Sequence, residues 1–452
     1  MGWVSYRRVV RAEVRRPEGL TAVSCAREYV CDDCGAKFGL ELPESLCRQC
    51  GGLLEVRYDL TRLSPSLRAR AAAERPGIWR WRDFLPLPPG ATVISLGEGD
   101  TPLLSCPRLG SRIGARKLLV KNDGQMPTGS FKDRGFSVAV SVALAYGIRR
   151  GVTYSSGNAG ASLAAYGARA ALDVAVLAEY LCNPVKIAAM QSYGAQVLRV
   201  HFESTGEIFN SLQQLRESVP YTFVNFLNPV RHDAMKTYAY EICEALNWQA
   251  PDVMVQPVGT GGGLYGAWKG FKELYELGWV RSLPRMVAVQ PAACAPIVRA
   301  IQAGTATAGS DGNPSRTIAQ SMAGDTPIQG GRRVLAAIRE SGGTAVAVDD
   351  DELREAMVLL GAEGVLAEPS AAAPLAGLRR CIGDGSVSPS EEVVCVVTGS
   401  GLKQPAELVR ARAVSEPIDV HADPASIANA LSRLWGAPLP VDDKTPIARR
   451  TR

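Results

Sequence analysis

The sequence has few aromatic residues, few histidines and no long hydrophobic run. Aromatic residues make up 6% of the chain, and histidine occurs 3 times. A membrane-spanning helix needs about 18 or more consecutive apolar residues. The sequence contains no such run, so we expect no membrane partner. A large excess of one charge is also lacking, since 50 basic and 45 acidic residues leave a net charge of +5. So small an excess argues against a nucleic-acid partner.

A secretory signal is missing as well. The first segment, Met1–Leu20, is rich in arginine but has no apolar core followed by a small-residue cleavage site. Glu13 and Glu18 argue against an organelle transit peptide. The 11 cysteines are an odd number in a long chain, which is typical of a reducing compartment rather than of a disulfide framework. We therefore expect a cytoplasmic protein.

The chain is long enough for more than one hydrophobic core, with 452 residues of which 46% are hydrophobic. From Thr92 onward, short β-branched runs alternate with alanine-rich helical stretches and glycine turns. Continuous apolar strands between helices predict an α/β fold, with a parallel sheet that helices cover on both faces. After Val414 the pattern fades, and residues 416–436 predict one helix before a mobile basic tail, Lys444–Arg452. The runs that predict strands are Lys117–Lys121, Val174–Leu177, Val197–Val200, Val253–Pro257, Met286–Gln290 and Val393–Val397.

Two cysteine pairs lie close together near the N-terminus. Cys31-Asp-Asp-Cys34 is followed, after twelve residues, by Cys47-Arg-Gln-Cys50. Each pair can form a knuckle that directs two thiolates at one point, and two knuckles make a tetrahedral zinc site. A glycine follows each pair, where a knuckle needs a tight turn. Because four protein ligands close the site, we expect a structural zinc ribbon rather than a catalytic or redox centre.

One lysine follows a turn that is rich in helix breakers. The segment reads Pro127-Thr-Gly-Ser130-Phe-Lys132-Asp-Arg-Gly135. The proline and glycine end a strand, and we expect Ser130 to cap the next helix. Lys132 then lies in the first helical turn, where a cation is unfavourable. A lysine that is neutral or bonded to an aldehyde explains this position, although an ordinary surface lysine is also compatible with it.

Three further turns follow predicted strands. Ser155-Ser156-Gly-Asn158-Ala-Gly160 and Gly259-Thr260-Gly261-Gly262-Gly263 each precede a helical stretch, where free N–H groups suit an anion. Val397-Thr398-Gly-Ser400-Gly-Leu-Lys403 follows an apolar strand. Taken alone, the first and the third are better explained as simple turns, and the glycine-rich turn is weak evidence for an anion site. The glycine-rich turn is also compatible with a dinucleotide loop, but no acidic residue closes a second strand about twenty residues further on.

Taken together, these motifs resemble the threonine synthases, which are fold-type-II pyridoxal-phosphate (PLP) enzymes. The likeness runs from Leu96-Gly-Glu-Gly-Asp-Thr-Pro-Leu103 to Gly401-Leu-Lys403, about two thirds of the chain. Asp133, directly after the lysine, is typical of this family rather than of threonine dehydratases. The resemblance implies that Lys132 is the catalytic residue and binds PLP as a Schiff base.

The resemblance also implies roles for the other motifs. Asn158 would contact the ring hydroxyl of PLP, and Thr398 would face its pyridine nitrogen. Asn225 and Arg231, in the stretch Asn225-Phe-Leu-Asn228-Pro-Val-Arg231, would bind a substrate phosphate, which suits an arginine fork. A surface salt bridge for the arginine is an equally open alternative. The residues implied to hold the PLP phosphate are Gly259, Thr260, Gly261, Gly262 and Gly263, and those implied to hold the substrate carboxylate are Ser155 and Ser156.

The implied architecture is that of the tryptophan synthase β-like fold-type-II enzymes, with two α/β domains and an N-terminal zinc ribbon. We expect a zinc-ribbon-like segment at 25–58 and a PLP-dependent catalytic region at 92–414. A small α/β domain would be inserted at about 125–235, and 415–452 would be a partly mobile C-terminal extension. Family members are usually dimers, so the resemblance implies a homodimer.

Three departures from the family pattern leave the substrate open. Ala159 replaces a threonine, the glycine turn has Thr260 and Gly263 in place of asparagines, and Ser400 replaces a histidine. The resemblance implies conversion of O-phospho-L-homoserine and water to L-threonine and phosphate. The departures favour a related PLP-dependent lyase or β-replacement enzyme that acts, like threonine and serine dehydratases, on another small amino acid. A scaffold without cofactor is the third possibility, against which the intact Lys132 argues.

Overall fold

In the computed structural model, the chain forms two compact units, Met1–Ala411 and Arg412–Arg452. Among the residues it describes, no helix combines the length and the apolar character that crossing a membrane requires. The described residues are 24–40, 46–63, 67–68, 71, 74, 77–155, 157–180, 182–201, 207–208, 210–212, 214, 222–223, 227–311, 313, 316–411 and 417–436.

A small antiparallel sheet forms the N-terminal part of the first unit. Its strands are β1 (Ala26–Cys31), β2 (Lys37–Phe38) and β3 (Leu54–Tyr58). They are arranged in the order β2-β1-β3. Tyr29, Leu54 and Val56 are buried between them and form a small core. Cys31 ends β1, and the second cysteine pair lies in the turn before β3, so the sheet brings the two pairs to the same end.

A larger sheet of six strands follows. Its strands are β4 (Leu103–Ser105), β5 (Lys117–Asn122), β10 (Val253–Pro257), β11 (Arg285–Pro291), β12 (Thr344–Val348) and β13 (Glu392–Val397). Their order is β12-β11-β10-β13-β5-β4, and only the β4–β5 pair is antiparallel. Burial on both faces explains the continuous apolar runs. Thus Met254 and Val394 enter one core, whereas their neighbours Val255 and Cys395 enter another.

A second, wholly parallel sheet is built from chain that lies between β5 and β10. Its strands are β6 (Arg150–Ser155), β7 (Asp173–Glu179), β8 (Gln196–Val200) and β9 (Thr222–Phe223). Their order is β8-β7-β6-β9. All six strand runs predicted from the sequence coincide with strands of the two sheets, and the α/β class is confirmed. The domain limits at 25–58, 92–414 and 125–235 stay predictions, because both sheets belong to one compact unit.

Helices cover the six-stranded and the four-stranded sheets of the first unit. Those with defined bounds are α1 (Pro107–Ile113), α2 (Lys132–Ala145), α3 (Asn158–Arg169), α4 (Pro184–Ser192), α5 (Pro229–Ala234), α6 (Thr237–Ala245), α7 (Gly262–Glu276), α8 (Pro296–Gln302), α9 (Arg332–Glu340), α10 (Asp350–Gly361), α11 (Pro369–Gly383) and α12 (Pro405–Ala411). Local signals set several of these bounds. Asp349 forms a capping box with Glu352 at the start of α10, and proline opens α1, α4, α5, α8 and α11.

The described residues of the second unit, 417–436, contain one further helix, α13 (Pro424–Trp435). The Asp423 side chain accepts a hydrogen bond from Ser426 N at 2.8 Å, and Gly436 follows the helix with φ of 65°, a conformation that suits glycine. The helix predicted within 416–436 is therefore confirmed. The predicted basic tail at 444–452 lies outside the described residues.

Candidate active site

A cavity of about 160 Å³ lies where strand ends of the two sheets meet. Parallel strands carry their C-terminal loops to the same edge of a sheet, so distant parts of the chain converge there. Ser156 and Asn225 lie outside the described residues. All other residues predicted to bind cofactor or substrate line this one cavity: Lys132, Ser155, Asn158, Arg231, Gly259, Thr260, Gly261, Gly262, Gly263 and Thr398.

Lys132 is the first residue of α2. Burial among protein atoms lowers the pKa of its amine well below the usual value, and the charge of Arg231 lowers this pKa further. The carboxylate of Glu368 acts in the opposite direction without offsetting the first two effects. Because the loss of water disfavours the charged form, the site favours a neutral amine. That is the form which a nucleophile or a general base needs.

The segment before Lys132 is held by backbone contacts. The prediction that Ser130 caps α2 is wrong, because Phe131 occupies the N-cap position and no side chain caps the helix. Ser130 Oγ is instead buried and has no hydrogen-bond partner among the described residues. Phe131 N donates to Thr398 O at 2.9 Å, and this pairing fixes Lys132 relative to the end of β13.

Asp133 secures the same turn from the helix side. Its carboxylate accepts from Thr128 N at 2.7 Å and from Thr128 Oγ1 at 2.6 Å. It also accepts from Ser162 Oγ of α3 at 2.6 Å. Burial raises the pKa of Asp133 to about 6, although these hydrogen bonds oppose the change. The turn that presents Lys132 is therefore tied to the helix that begins with Asn158.

Asn158 points one amide atom into the cavity. Its Nδ2 donates to Glu368 Oε1 at 2.5 Å and to Ser321 Oγ at 3.3 Å. A carboxylate only accepts hydrogen bonds, so this contact fixes the orientation of the amide. Asn158 Oδ1 is buried and has no hydrogen-bond partner within the described part of the chain. An acceptor atom is thus left for a polar group of a ligand.

A buried ion pair beside the cavity was not predicted from the sequence. Lys186 Nζ lies 2.9 Å from Glu368 Oε2, and the two side chains are 0% and 1% exposed. Lys186 Nζ also donates to Ser321 Oγ at 2.9 Å. Gly157 makes room for this lysine, because a Cβ at that position would lie 2.2 Å from Lys186 Cδ. The sequence signal that could have revealed the pair is a lone lysine in the otherwise uncharged helix α4.

The turn after β10 has no room for a side chain at Gly261 or at Gly263. Gly261 has φ of 82°, and a Cβ there would lie 2.6 Å from Val334 Cβ. A Cβ on Gly263 would lie 2.8 Å from Gln256 Nε2. The turn leads directly into α7, which begins at Gly262. It therefore offers backbone N–H groups at a helix N-terminus to an anion.

Two hydroxyl groups lie near the start of α11 and the end of β13. Thr398 directly follows β13 and is buried with 5% exposure. Ser370 is buried and lines the cavity, and its Oγ has no hydrogen-bond partner among the described residues. Ser370 was not predicted as a site residue, since a serine next to a proline at a helix start is common. Both hydroxyls can serve the polar edge of a bound ring.

Arg231 lies in the short helix α5, whose N-cap residue Asn228 accepts from Val230 N at 2.9 Å. The guanidinium carbon lies 4.0 Å from the centre of the Phe136 ring, and the side chain lines the cavity. Burial lowers the pKa of Arg231 to about 9. The open alternative of a surface salt bridge is wrong, since the residue is 1% exposed. A guanidinium in this environment gains from an anionic ligand.

The four predicted metal ligands come together at the end of the small sheet. Cys31 Sγ lies 3.5 Å from Cys50 Sγ, and Cys34 Sγ lies 3.6 Å from Cys47 Sγ. All four sulfur atoms are within 4.8 Å of one another. Backbone N–H groups donate to two of them, Cys31 Sγ and Cys47 Sγ, at 3.4 Å each. Four sulfurs at these distances fit one tetrahedral ion.

Comparison with known proteins agrees with this geometry. Residues 94–399 match a family described as pyridoxal-phosphate dependent enzymes. The threonine synthase of Methanocaldococcus jannaschii is 37% identical over 407 residues, 89% of this chain and 98% of the relative. The threonine synthase of Methanosarcina acetivorans is 36% identical over 406 residues, again 89% of this chain and 98% of the relative.

A solved structure shows the same fold at low sequence identity. Threonine deaminase isoform 2 from Solanum lycopersicum superposes with a TM-score of 0.57 and 20% identity over 70% of this chain and 88% of that chain. The predicted fold-type-II class is therefore confirmed. The chain belongs to the pyridoxal-phosphate dependent enzyme family and, within that family, to the threonine synthases.

Proposed function

We propose that the protein converts O-phospho-L-homoserine and water to L-threonine and phosphate. The observation that carries the proposal is the identity to threonine synthases, which extends over 89% of the chain. The cavity supports it, because a lysine with a lowered pKa and a buried arginine line the same space. The first suits proton transfer, and the second suits a phosphate.

The residues around Lys132 fit PLP as the cofactor. Asn158 Oδ1 and Ser370 Oγ are buried polar atoms that have no partner within the described part of the chain, and an unsatisfied buried polar atom is unfavourable. Thr398 would face the pyridine nitrogen, and the turn Gly259–Gly263 would hold the phosphate. When bound, PLP withdraws the electrons that the substrate Cα retains after losing its proton.

Lys132 would act as the base. Its amine, whose pKa burial lowers, would remove a proton from the substrate Cα and then one from Cβ. The phosphate would leave Cγ, and one of the removed protons would return to Cγ. Water would add its hydroxyl at Cβ and give its proton to the released phosphate, and the second removed proton would return to Cα. A single base serves both positions because they are adjacent carbon atoms.

Two groups of residues would hold the anionic parts of the substrate. Arg231, with Asn225, would anchor the phosphate. The carboxylate would meet the N–H groups around Ser155 and Ser156. The Ser155 hydroxyl itself already accepts from Gly157 N and Gly160 N at 2.9 Å each. We therefore expect the backbone of this turn, rather than that hydroxyl, to bind the carboxylate.

A related PLP-dependent lyase or β-replacement enzyme is the alternative. It is favoured by the glycine turn, where Gly263 supplies no side chain and where Gln256 Nε2 lies close beneath it. Without an asparagine at this point, the turn has less to offer a second phosphate group. Ala159 also lines the cavity and offers no hydroxyl there.

We further propose that the four cysteines bind one structural zinc ion. The support is the tetrahedral donor set described above. A metal analysis of freshly purified protein should find one zinc per chain, and four freely titratable thiols without zinc would contradict this. A homodimer and a cytoplasmic location stay predictions that rest on the resemblance and on the cysteine content.

The test is phosphate release from O-phospho-L-homoserine by the PLP-loaded protein. We expect phosphate and L-threonine to appear in equal amounts, and both to vanish in Lys132→Ala. The same preparations are offered L-threonine and L-serine, and ammonia is measured. A yellow protein that releases ammonia from these amino acids but no phosphate would refute the threonine synthase proposal in favour of the lyase.

A further inference from the structure

The cysteine ribbon, residues 25–58, packs against the helix that carries Arg231. The Tyr58 hydroxyl donates to the Asp233 carboxylate. Lys269 Nζ of α7 donates to Val56 O at 2.6 Å and to Asp233 Oδ1 at 2.9 Å. Asp233 is 1% exposed. One buried carboxylate of α5 is thus bonded to both the ribbon and α7.

The same helix faces the cavity on its other side. Arg231 and Asp233 are two residues apart in α5, so their side chains point in roughly opposite directions. Arg231 lines the cavity, whereas Asp233 meets the ribbon. A helix of six residues has little stability of its own. Its contacts therefore decide where the guanidinium stands.

Helix α5 lies between the ribbon and the cavity and packs closely against α7. A Cβ on Gly266 of α7 would lie 2.3 Å from His232 O, so the two backbones nearly touch. A second contact reaches α5 from the first cysteine knuckle. Arg333 Nε donates to Asp32 Oδ2 at 2.5 Å, and Arg333 Nη1 lies 3.1 Å from His232 Nδ1. The ribbon is therefore connected to α5 both at Asp233 and, through Arg333, at His232.

We propose that Tyr58 and Asp233 are positioning residues for Arg231, so that the docked ribbon sets the affinity of the cavity for the substrate's phosphate group. The inference rests on the proposed function, in which Arg231 anchors that phosphate. Tyr58 touches neither cofactor nor substrate in this scheme. It acts through Asp233 and the α5 backbone.

The test compares two ligands, one with and one without an anionic group at the place of the substrate's phosphate. PLP-loaded protein is titrated with 2-amino-5-phosphonopentanoate, a phosphonate isostere of O-phosphohomoserine, and with L-norvaline, which lacks the anionic group. Binding is followed through the cofactor absorbance. In Tyr58→Phe we expect the Kd of the phosphonate to rise about tenfold, because the loss of a hydrogen bond to a charged group lowers by about this factor the share of free protein in which Arg231 stands in the binding position. The Kd of norvaline should stay unchanged.

Tyr265→Phe is the matched control. It removes a hydroxyl from the same ribbon interface, where Tyr265 Oη donates to Glu55 Oε1 at 2.7 Å, but on α7 rather than α5. It should keep the wild-type ratio of the two Kd values. Equal losses in both tyrosine variants, or a rise for both ligands in Tyr58→Phe, would overturn the inference.

Two further outcomes remain distinct. A wild-type protein that binds both ligands equally well would refute Arg231 as the phosphate anchor, and with it the proposed function. If the wild-type protein prefers the phosphonate and Tyr58→Phe keeps the same preference, only the positioning role is refuted. Should Tyr58→Phe fail to fold, Asp233→Asn is titrated against the same ligands and judged by the same criterion.

Discussion

Breaking the buried pair of Lys186 and Glu368 from one side will destabilise the protein strongly. The charged atoms lie 2.9 Å apart, and the side chains are 0% and 1% exposed. Removing one partner of such a pair leaves an uncompensated buried charge, which costs about 3–5 kcal/mol. We expect Glu368→Gln and Lys186→Met each to reach the lower end of this range, because Asn158 and Ser321 still offer hydrogen bonds to the remaining partner.

The double variant tests whether the cost arises from the pair. Lys186→Met combined with Glu368→Gln leaves no buried charge at these two positions. The double variant should therefore lose less free energy of unfolding than the two single variants together, by about 2 kcal/mol. The pair of Lys272 and Glu340 is the matched control. Its distance is 3.0 Å, but the side chains are 47% and 51% exposed. The same cycle there should give less than about 1 kcal/mol.

The assay is urea unfolding followed by tryptophan fluorescence, with the free energy extrapolated to water for each of the variants. The two cycles share chemistry and distance, and they differ in exposure. Strictly additive losses at Lys186 and Glu368 would refute the reasoning. So would equal coupling energies for the buried and the exposed pair.

Three other predictions follow from single residues. Burial raises the pKa of Asp133 to about 6. Between about pH 4 and pH 6, the folded protein therefore keeps a proton that the unfolded chain has lost. As the pH rises through this range, the free energy of unfolding should fall by about 1.4 kcal/mol per pH unit. Urea unfolding over this pH range should show a contribution of this sign that Asp133→Asn lacks. Gly261→Ala should weaken PLP binding by more than about tenfold through strain and collision, whereas Gly278→Ala, which has φ of 67° but open space around it, should leave the PLP titration unchanged. Cys34→Ser should lower the zinc content and the melting temperature of the ribbon-containing protein, and an unaltered metal analysis would contradict the four-cysteine site.

The strands and the turns of the site were predictable because their signals are local. In a run such as Val253–Pro257, the mostly apolar composition by itself predicts that both faces of the strand are buried. Gly261 must be glycine because of its positive φ and its close neighbour. The position of Lys132 at the start of α2 follows from the proline and glycine that precede it. In each case a few consecutive residues contain the whole physical reason.

The remaining features depend on contacts between distant parts of the chain. Lys186 and Glu368 are 182 residues apart, and neither segment shows that the other exists. Ser130 has the residue type of a helix cap, but the pairing of Phe131 with Thr398 outweighs that preference. The contact between the ribbon and α5 joins Tyr58 to a carboxylate 175 residues away. The sequence shows both residues of such a contact, but it does not show that they contact each other.

In the proposed function, the charges of the cavity would serve binding and catalysis together. Burial lowers the pKa of both Arg231 and Lys132, so each cation is less stable there than in water. A phosphate beside Arg231 removes part of that penalty, and its binding must therefore stabilise the fold. The positive charge of Arg231 also lowers the pKa of Lys132. In the proposed function, a bound phosphate would screen this influence while Lys132 accepts protons, and its departure would restore the influence and help Lys132 to release them.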